Sequence, residues 1–210
     1  MKLYPILFSE ASLQHPELSG KTATIDEVQG HFAHFHLSSK FLGEPTFTFN
    51  PKIPRYPFED IDGNVIEDDF TKRISLAADI EDARDAVIEQ GGTCFYVYGI
   101  QEDTNIESVI DNRPDCPTIP PNEYNTKFRI KKWLRNNHPD VLNSFNLKDQ
   151  IKPSSLPKEL KDKFQGCVPD SNKTYEEWSR QPLQMIFIGT IGEGNQEVQL
   201  SNEATRIIGL

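Results

Sequence analysis

Gly91-Gly92-Thr93-Cys94-Phe95-Tyr96-Val97-Tyr98-Gly99-Ile100 is the stretch that decides the fold class. Aromatic and β-branched residues follow a double glycine, the composition of a strand that starts just after a helix has stopped. Ahead of it, residues 77–90 place Ala78, Ile80, Ala83, Ala86 and Val87 on an apolar stripe. Asp79, Glu81 and Asp82 crowd the opening turns, where carboxylates suit the positive end of a helix. Residues 73–76, before that helix, read as a short strand. The middle of the chain is therefore strand, helix, strand.

Working outward, residues 31–37 read as a strand. Side chains alternate along it, so Phe35 and Leu37 share one face and His34 and His36 the other. Residues 46–49 alternate again, and residues 2–8 make a short apolar strand. Residues 10–30 read as a loop or short helix, punctuated by Pro16, Gly20 and Gly30. On the other side, residues 101–168 are the least regular, with Pro114, Pro117, Pro120 and Pro121 stiffening a loop. Helices are expected over residues 127–137 and 156–164. Residues 184–191 read as a buried strand, and residues 197–200 and 206–208 as edge strands. Strands dominate and do not alternate regularly with helices, which predicts an α+β fold rather than a doubly wound one. The expected organisation is a single domain over residues 1–210. It comprises an N-terminal extension (1–30), a core (31–192) with a helical insertion at about 101–167, and C-terminal strands (193–210).

Bulk composition limits the function classes. The formal net charge is −10 over 210 residues, with 36% hydrophobic and 26% charged residues. That balance argues against a broad nucleic-acid or membrane surface, because phosphate contacts need clustered Lys and Arg. No apolar run approaches the roughly 18 residues of a membrane span. Cys94, Cys116 and Cys167 are odd in number and lack metal-ligand spacing. Three free thiols in a cytoplasmic protein are the simplest expectation.

Three local clusters invite chemical readings. His31, His34 and His36 lie close together, but no carboxylate completes a recognised metal set, so no metal is expected. Asp60-Ile61-Asp62-Gly63-Asn64 opens like a calcium loop, yet the sixth position is Val65 where glycine is required. A turn on Asp62-Gly63 is the expected structure. Lys127, Arg129, Lys131, Lys132 and Arg135 surround Trp133. Such a helix either binds phosphates or an acidic partner, or packs Trp133 inward and leaves its cations in water; the second reading is preferred.

A fourth constellation is spread along the chain. Phe35-His36-Leu37-Ser38 is followed by Pro51-Lys52-Ile53-Pro54, then by Arg73-Ile74-Ser75-Leu76 before a helix, and finally by Thr174-Tyr175-Glu176-Glu177-Trp178 before a late strand. In this order the pieces resemble small phage and prokaryotic proteins with an ADP-ribosyltransferase-like fold, in which split sheets are flanked by helices. The resemblance covers the ends and middle of residues 31–192 and omits residues 1–30 and most of 101–167. It implies a cleft that holds NAD as substrate. His36, beside Phe35, would bind the adenosine ribose, and Ser75 would brace the site. Glu176 or its neighbour Glu177 would stabilise an oxocarbenium-like transition state. Tyr96, Tyr98 or Tyr175 would stack on nicotinamide. The implied activity is ADP-ribosyl transfer or NAD glycohydrolysis, with a host macromolecule as a conceivable acceptor. The competing expectation is a non-catalytic binding or inhibitory protein that uses the same fold to hold a nucleotide or a host protein. The chain departs from the pattern in three ways. Tyr175 stands where the run usually has glycine, two glutamates are adjacent, and a His-led first strand is combined with Ser75.

Overall fold

Strand Cys94–Ile100 lies in the middle of one antiparallel sheet, as its uniformly apolar composition demands. The computed structural model describes residues 16–55, 57, 59–88, 93–101, 106–108, 129–167 and 176–210. Within these, the strands are β1 (Leu18–Thr24), β2 (His34–Ser38), β3 (Thr46–Phe49), β4 (Ile74–Ala77), β5 (Cys94–Ile100), β6 (Glu107–Ser108), β7 (Glu176–Ser179), β8 (Leu183–Gly192) and β9 (Glu197–Ser201). The helices are α1 (Ile25–Gln29), α2 (Ile80–Ile88), α3 (Ile130–Asn137), α4 (Pro139–Asn143), α5 (Lys158–Phe164) and α6 (Asn202–Ile208). The sheet runs β1-β9-β8-β5-β2-β4-β7-β6, and β3 pairs with β8 off this path. All of these pairings are antiparallel, so the fold is α+β.

The sheet forks at β8. Ile186 pairs with Thr46 of β3 on one edge and Gly99 of β5 on the other, whereas Gly189 pairs with Leu200 of β9 and Val97 of β5. One edge of β8 thus carries β3 along its first half and β9 along its second. Gly189 makes the changeover feasible. Its φ is +155°, and a Cβ there would sit 1.9 Å from the Gln199 carbonyl oxygen.

Two apolar layers cover the two faces of the sheet. Phe35, Leu37, Phe95 and Val97 pack with Ile80 and Ala83 of α2, Val28 of α1 and Ala204 of α6. On the opposite face Phe49, Ile74, Leu76, Tyr98, Met185 and Phe187 form a second layer rich in aromatic edge contacts. A third cluster lies away from both: Ile66, Ile130, Leu134, Leu142, Ile151, Leu160 and Phe164 unite α3, α4 and α5 with the chain around residue 66. Within the stretch expected as a helical insertion, residues 129–167 supply these helices, whereas residues 107–108 form β6 and pair with β7 of the sheet.

The acidic stretch at residues 60–69 organises that third cluster. Asp60, Asn64, Glu67 and Asp68 are all buried. Asp60 accepts hydrogen bonds from the Asp62 and Asn64 backbone N–H groups and, at 3.1 Å, from Ile130 N–H at the start of α3. Asp68 accepts from Phe70 and Thr71 N–H and, across the fold, from Gly166 N–H. The calcium-like run is therefore a turn, with Gly63 at φ +75° and its N–H bonded to the Asp60 carbonyl. Its carboxylates serve buried backbone donors that would otherwise be costly to bury.

Several expectations need correction. Residues 18–24, read as loop or short helix, form β1, and only residues 25–29 are helical. The capping box Thr24…Glu27 fixes that boundary, because each partner satisfies a backbone N–H of the other. Residues 206–208, read as an edge strand, lie in α6. Ser201 caps the Ala204 N–H, and Gly209 closes the helix at φ +86°. Strand β9 is not an edge, because β1 pairs along it. The strand expected over residues 2–8 lies outside the described residues. Cys167 is disulfide-bonded, which overturns the expectation of three free thiols, while Cys94 is free and exposed. Cys116 lies outside the described residues. No helix among the described residues is long and apolar enough to cross a membrane.

Candidate functional site

The register of β2, β4 and β7 settles which site residues share a face. Phe35 pairs with Ala77, Leu76 with Glu177, and Ser75 with Trp178. Directly paired residues project to the same side of a sheet, and neighbours along a strand to opposite sides. His34, His36, Leu76 and Glu177 therefore occupy one face. Phe35, Arg73, Ser75, Glu176 and Trp178 occupy the other. The proposed trio His36, Ser75 and Glu176 is split by the sheet: His36 projects away from the other two side chains. The adjacent glutamates divide in the same way, and it is Glu177 that joins the histidines.

On the histidine face, His34 is buried and its Nε2 lies in close contact with Glu177 Oε2, an ion pair whenever the imidazole is protonated. The Glu177 side chain is 22% exposed, although the Oε2 atom that meets His34 is itself buried. His36 is half-buried. Its Nδ1 lies 2.9 Å from the Ser75 carbonyl oxygen, and its ring meets Phe49 edge-on at 4.6 Å. A carbonyl only accepts, so Nδ1 carries the proton. Burial holds the His36 pKa below its usual value, opposed by the Ser75 hydrogen bond. The neutral ring then keeps Nε2 as an acceptor. Ser75 thus contributes its backbone to this face, whereas its exposed side chain lies on the other.

The second face is built around Arg73, which is buried. Its guanidinium lies 3.9 Å above the Trp178 ring. One terminal nitrogen donates to Glu67 Oε1 at 2.6 Å, and the other to the Asp68 carbonyl oxygen at 2.8 Å. Arg73 Nε sits 3.7 Å from Glu176 Oε1, beyond hydrogen-bond range, while Trp178 Nε1 donates to that same oxygen at 2.9 Å. Glu176 is thereby fixed by an indole and faces a guanidinium whose two terminal nitrogens are bonded elsewhere, while its buried Nε, the atom nearest Glu176, makes no hydrogen bond. This face joins the sheet to the helical unit through Glu67 and Asp68. Sequence reading missed Arg73, Glu67 and Trp178 as a unit. The one available signal was the alternation Arg73-x-Ser75, which puts the arginine on a strand face.

Two expected cofactor-binding aromatics are core residues. Phe35 is 0% exposed within the helix-side layer. Tyr98 is likewise 0% exposed, and its hydroxyl accepts N–H bonds from Leu42 and Gly43 while burial raises its pKa. Neither ring has a free face on which a base can stack. Tyr96 is half-buried and packs against Phe41 and Phe187. Tyr175 lies outside the described residues. Among the described residues, no group of three or more His, Cys, Asp or Glu is placed to hold a metal ion.

The arrangement on the histidine face holds a carboxylate against one imidazole and presents a second, neutral imidazole beside them. No protein-family model, curated protein or solved structure matches the chain.

Proposed function

We propose that the chain cleaves the nicotinamide–ribose bond of NAD, as an NAD glycohydrolase or ADP-ribosyltransferase, and that Glu177 rather than Glu176 is its working carboxylate. The single observation that carries this reading is that Glu177, His34 and His36 share one face of the sheet. The fork at β8 is compatible with the finer fold proposal, an ADP-ribosyltransferase-like split sheet, since β3 leaves the path of the sheet at the point where β9 takes over the same edge.

In the proposed reaction, the C1′–N bond breaks and its electron pair leaves with neutral nicotinamide. Positive charge develops at C1′ and O4′ of the ribose. A fixed carboxylate at that place stabilises the charge without having to reorganise as it forms. Water or an acceptor nucleophile then adds to C1′ and releases one proton. His34 fixes the Glu177 carboxylate. His36 offers Nε2 to a ribose hydroxyl, with its Nδ1 locked by the Ser75 carbonyl. Glu176, tied to Trp178 on the other face, takes no part.

The test is release of nicotinamide from NAD by the wild type and two variants. Glu177→Gln should lose about 100-fold or more in turnover, the scale seen when a preorganised electrostatic group is removed. Glu176→Gln should retain turnover within about tenfold, because its carboxylate faces away from the histidines. A wild type that releases no nicotinamide while binding NAD would transfer the assignment to a non-catalytic nucleotide-binding protein.

A further inference from the structure

A basic surface lies in a groove formed by α3 and two loops. Its volume is about 540 Å³, and its lining is Asp62, Arg129, Lys131, Lys132, Arg135 and Leu147 with Asn136. None of these residues belongs to the histidine face. Four cations against one carboxylate give a local excess of three positive charges, in a chain whose net charge is −10. The buried Asp60 carboxylate, bonded to the Ile130 N–H, offsets part of that excess, and charges further than about 8–10 Å away are screened at physiological salt.

The groove's own contacts show which cations are available. Lys131 Nζ donates to the Leu147 carbonyl oxygen at 2.9 Å, which pins the lysine to the far wall. Arg129 Nε lies 3.9 Å from Asp62, with both side chains more than 40% exposed, so that pair is weak and readily exchanged. Lys132 and Arg135 are exposed and have no hydrogen-bond or ion-pair partner among the described residues. The wall behind them is rigid: Ile130 and Leu134 of the same helix are fully buried, and Asp60 holds the Ile130 N–H. Leu147, 58% exposed, supplies an apolar rim.

We propose that this groove binds a small oligophosphate, such as the di- or triphosphate group of a nucleotide. Size and shape favour that class. The volume falls within the roughly 300–1,000 Å³ of small-ligand sites, and the cations converge on one concavity instead of lining a track. An extended polyanion such as duplex nucleic acid engages basic residues along a broad surface, and four clustered cations do not supply one. Two arginine forks flanking two lysines match adjacent phosphates, which accept bidentate and point-charge contacts together. Leu147 is placed to meet an apolar or aromatic moiety attached to the phosphates.

The experiment is isothermal titration calorimetry of the whole protein with inorganic tripolyphosphate, ADP and orthophosphate. We expect one site per chain for tripolyphosphate, competition by ADP for that site, binding that weakens steeply as salt is raised, and much weaker binding of orthophosphate. The double variant Lys132→Gln/Arg135→Gln should lose about 100-fold in affinity, roughly tenfold for each charge-assisted contact removed. Lys132→Arg/Arg135→Lys keeps both charges and should bind within about tenfold of wild type, with unchanged melting temperature checking the fold. Glu177→Gln should bind tripolyphosphate as wild type does, so failure here is distinguishable from failure of the NAD reading. Absence of tripolyphosphate binding, binding untouched by the double Gln variant, or equal loss in the charge-conserving variant would each overturn the proposal.

Discussion

The two faces of the β4–β7 pair are built from the same few residues in sequence yet hold charge in opposite ways. On one, Arg73 is buried among groups that already bond it: Glu67, the Asp68 carbonyl and the Trp178 ring. On the other, Glu177 sits against His34 with its side chain 22% exposed and its Oε2 buried, and His36 lies alongside as a locked, neutral ring. Buried charge whose partners are all internal joins parts of a fold. Charge with one side left accessible is available for chemistry. The difference also separates Glu176 from Glu177, which no composition-based argument does.

The comparison is broken most easily at Arg73. Arg73→Met should cost about 3–5 kcal/mol, because the buried Glu67 carboxylate loses its guanidinium. Urea unfolding followed by circular dichroism measures this, and a loss under about 1 kcal/mol would remove the joining role given to that face. Next in size is Cys167, whose backbone carbonyl accepts from Asp68 N–H on the same side of the molecule. Its disulfide should contribute about 2–4 kcal/mol, lost in Cys167→Ser. Alkylation of the denatured, unreduced protein should label Cys94 and leave Cys167 unlabelled until reductant is added. Labelling of both without reductant would remove the disulfide from the account.

The paired glutamates should differ little in stability. Glu176→Gln and Glu177→Gln should each change it by less than about 1 kcal/mol, since both carboxylates are partly exposed and glutamine keeps an acceptor. A large loss confined to Glu177→Gln would reassign that residue to folding. The smallest effect is expected at His36. Its folded-state pKa is lowered, so below about pH 6.5 the unfolded chain takes up the proton first and stability falls as the pH drops. His36→Gln should lack this component, so its melting temperature should approach that of wild type from pH 7 to pH 5. A difference that widens on acidification would mean that His36 gains, rather than loses, a proton on folding.

Much of the architecture was readable in the sequence. Residues 93–100 and 184–191 announce buried strands by largely apolar and aromatic composition, and the acidic opening of α2 by its charges. Alternation correctly placed His34 and His36 on one face. What the sequence could not supply was the register between strands far apart in the chain. A slip of one residue exchanges faces. Glu176 and Glu177 are therefore interchangeable until Leu76 is seen opposite Glu177. The burial of Tyr98 has the same origin, since a strand of aromatic residues does not reveal which ring is covered from the far side of the sheet. At residues 206–208, isoleucines of strand-like composition were outweighed by a cap at Ser201 and a left-handed glycine at Gly209.

The most direct test of the central claim is a crystal structure of Glu177→Gln soaked with NAD. The account predicts the nicotinamide ribose over the His34–His36 face, with its hydroxyls within hydrogen-bond distance of residue 177 and of His36 Nε2. NAD seated instead against Glu176 and Trp178, with the histidine face empty, would contradict it.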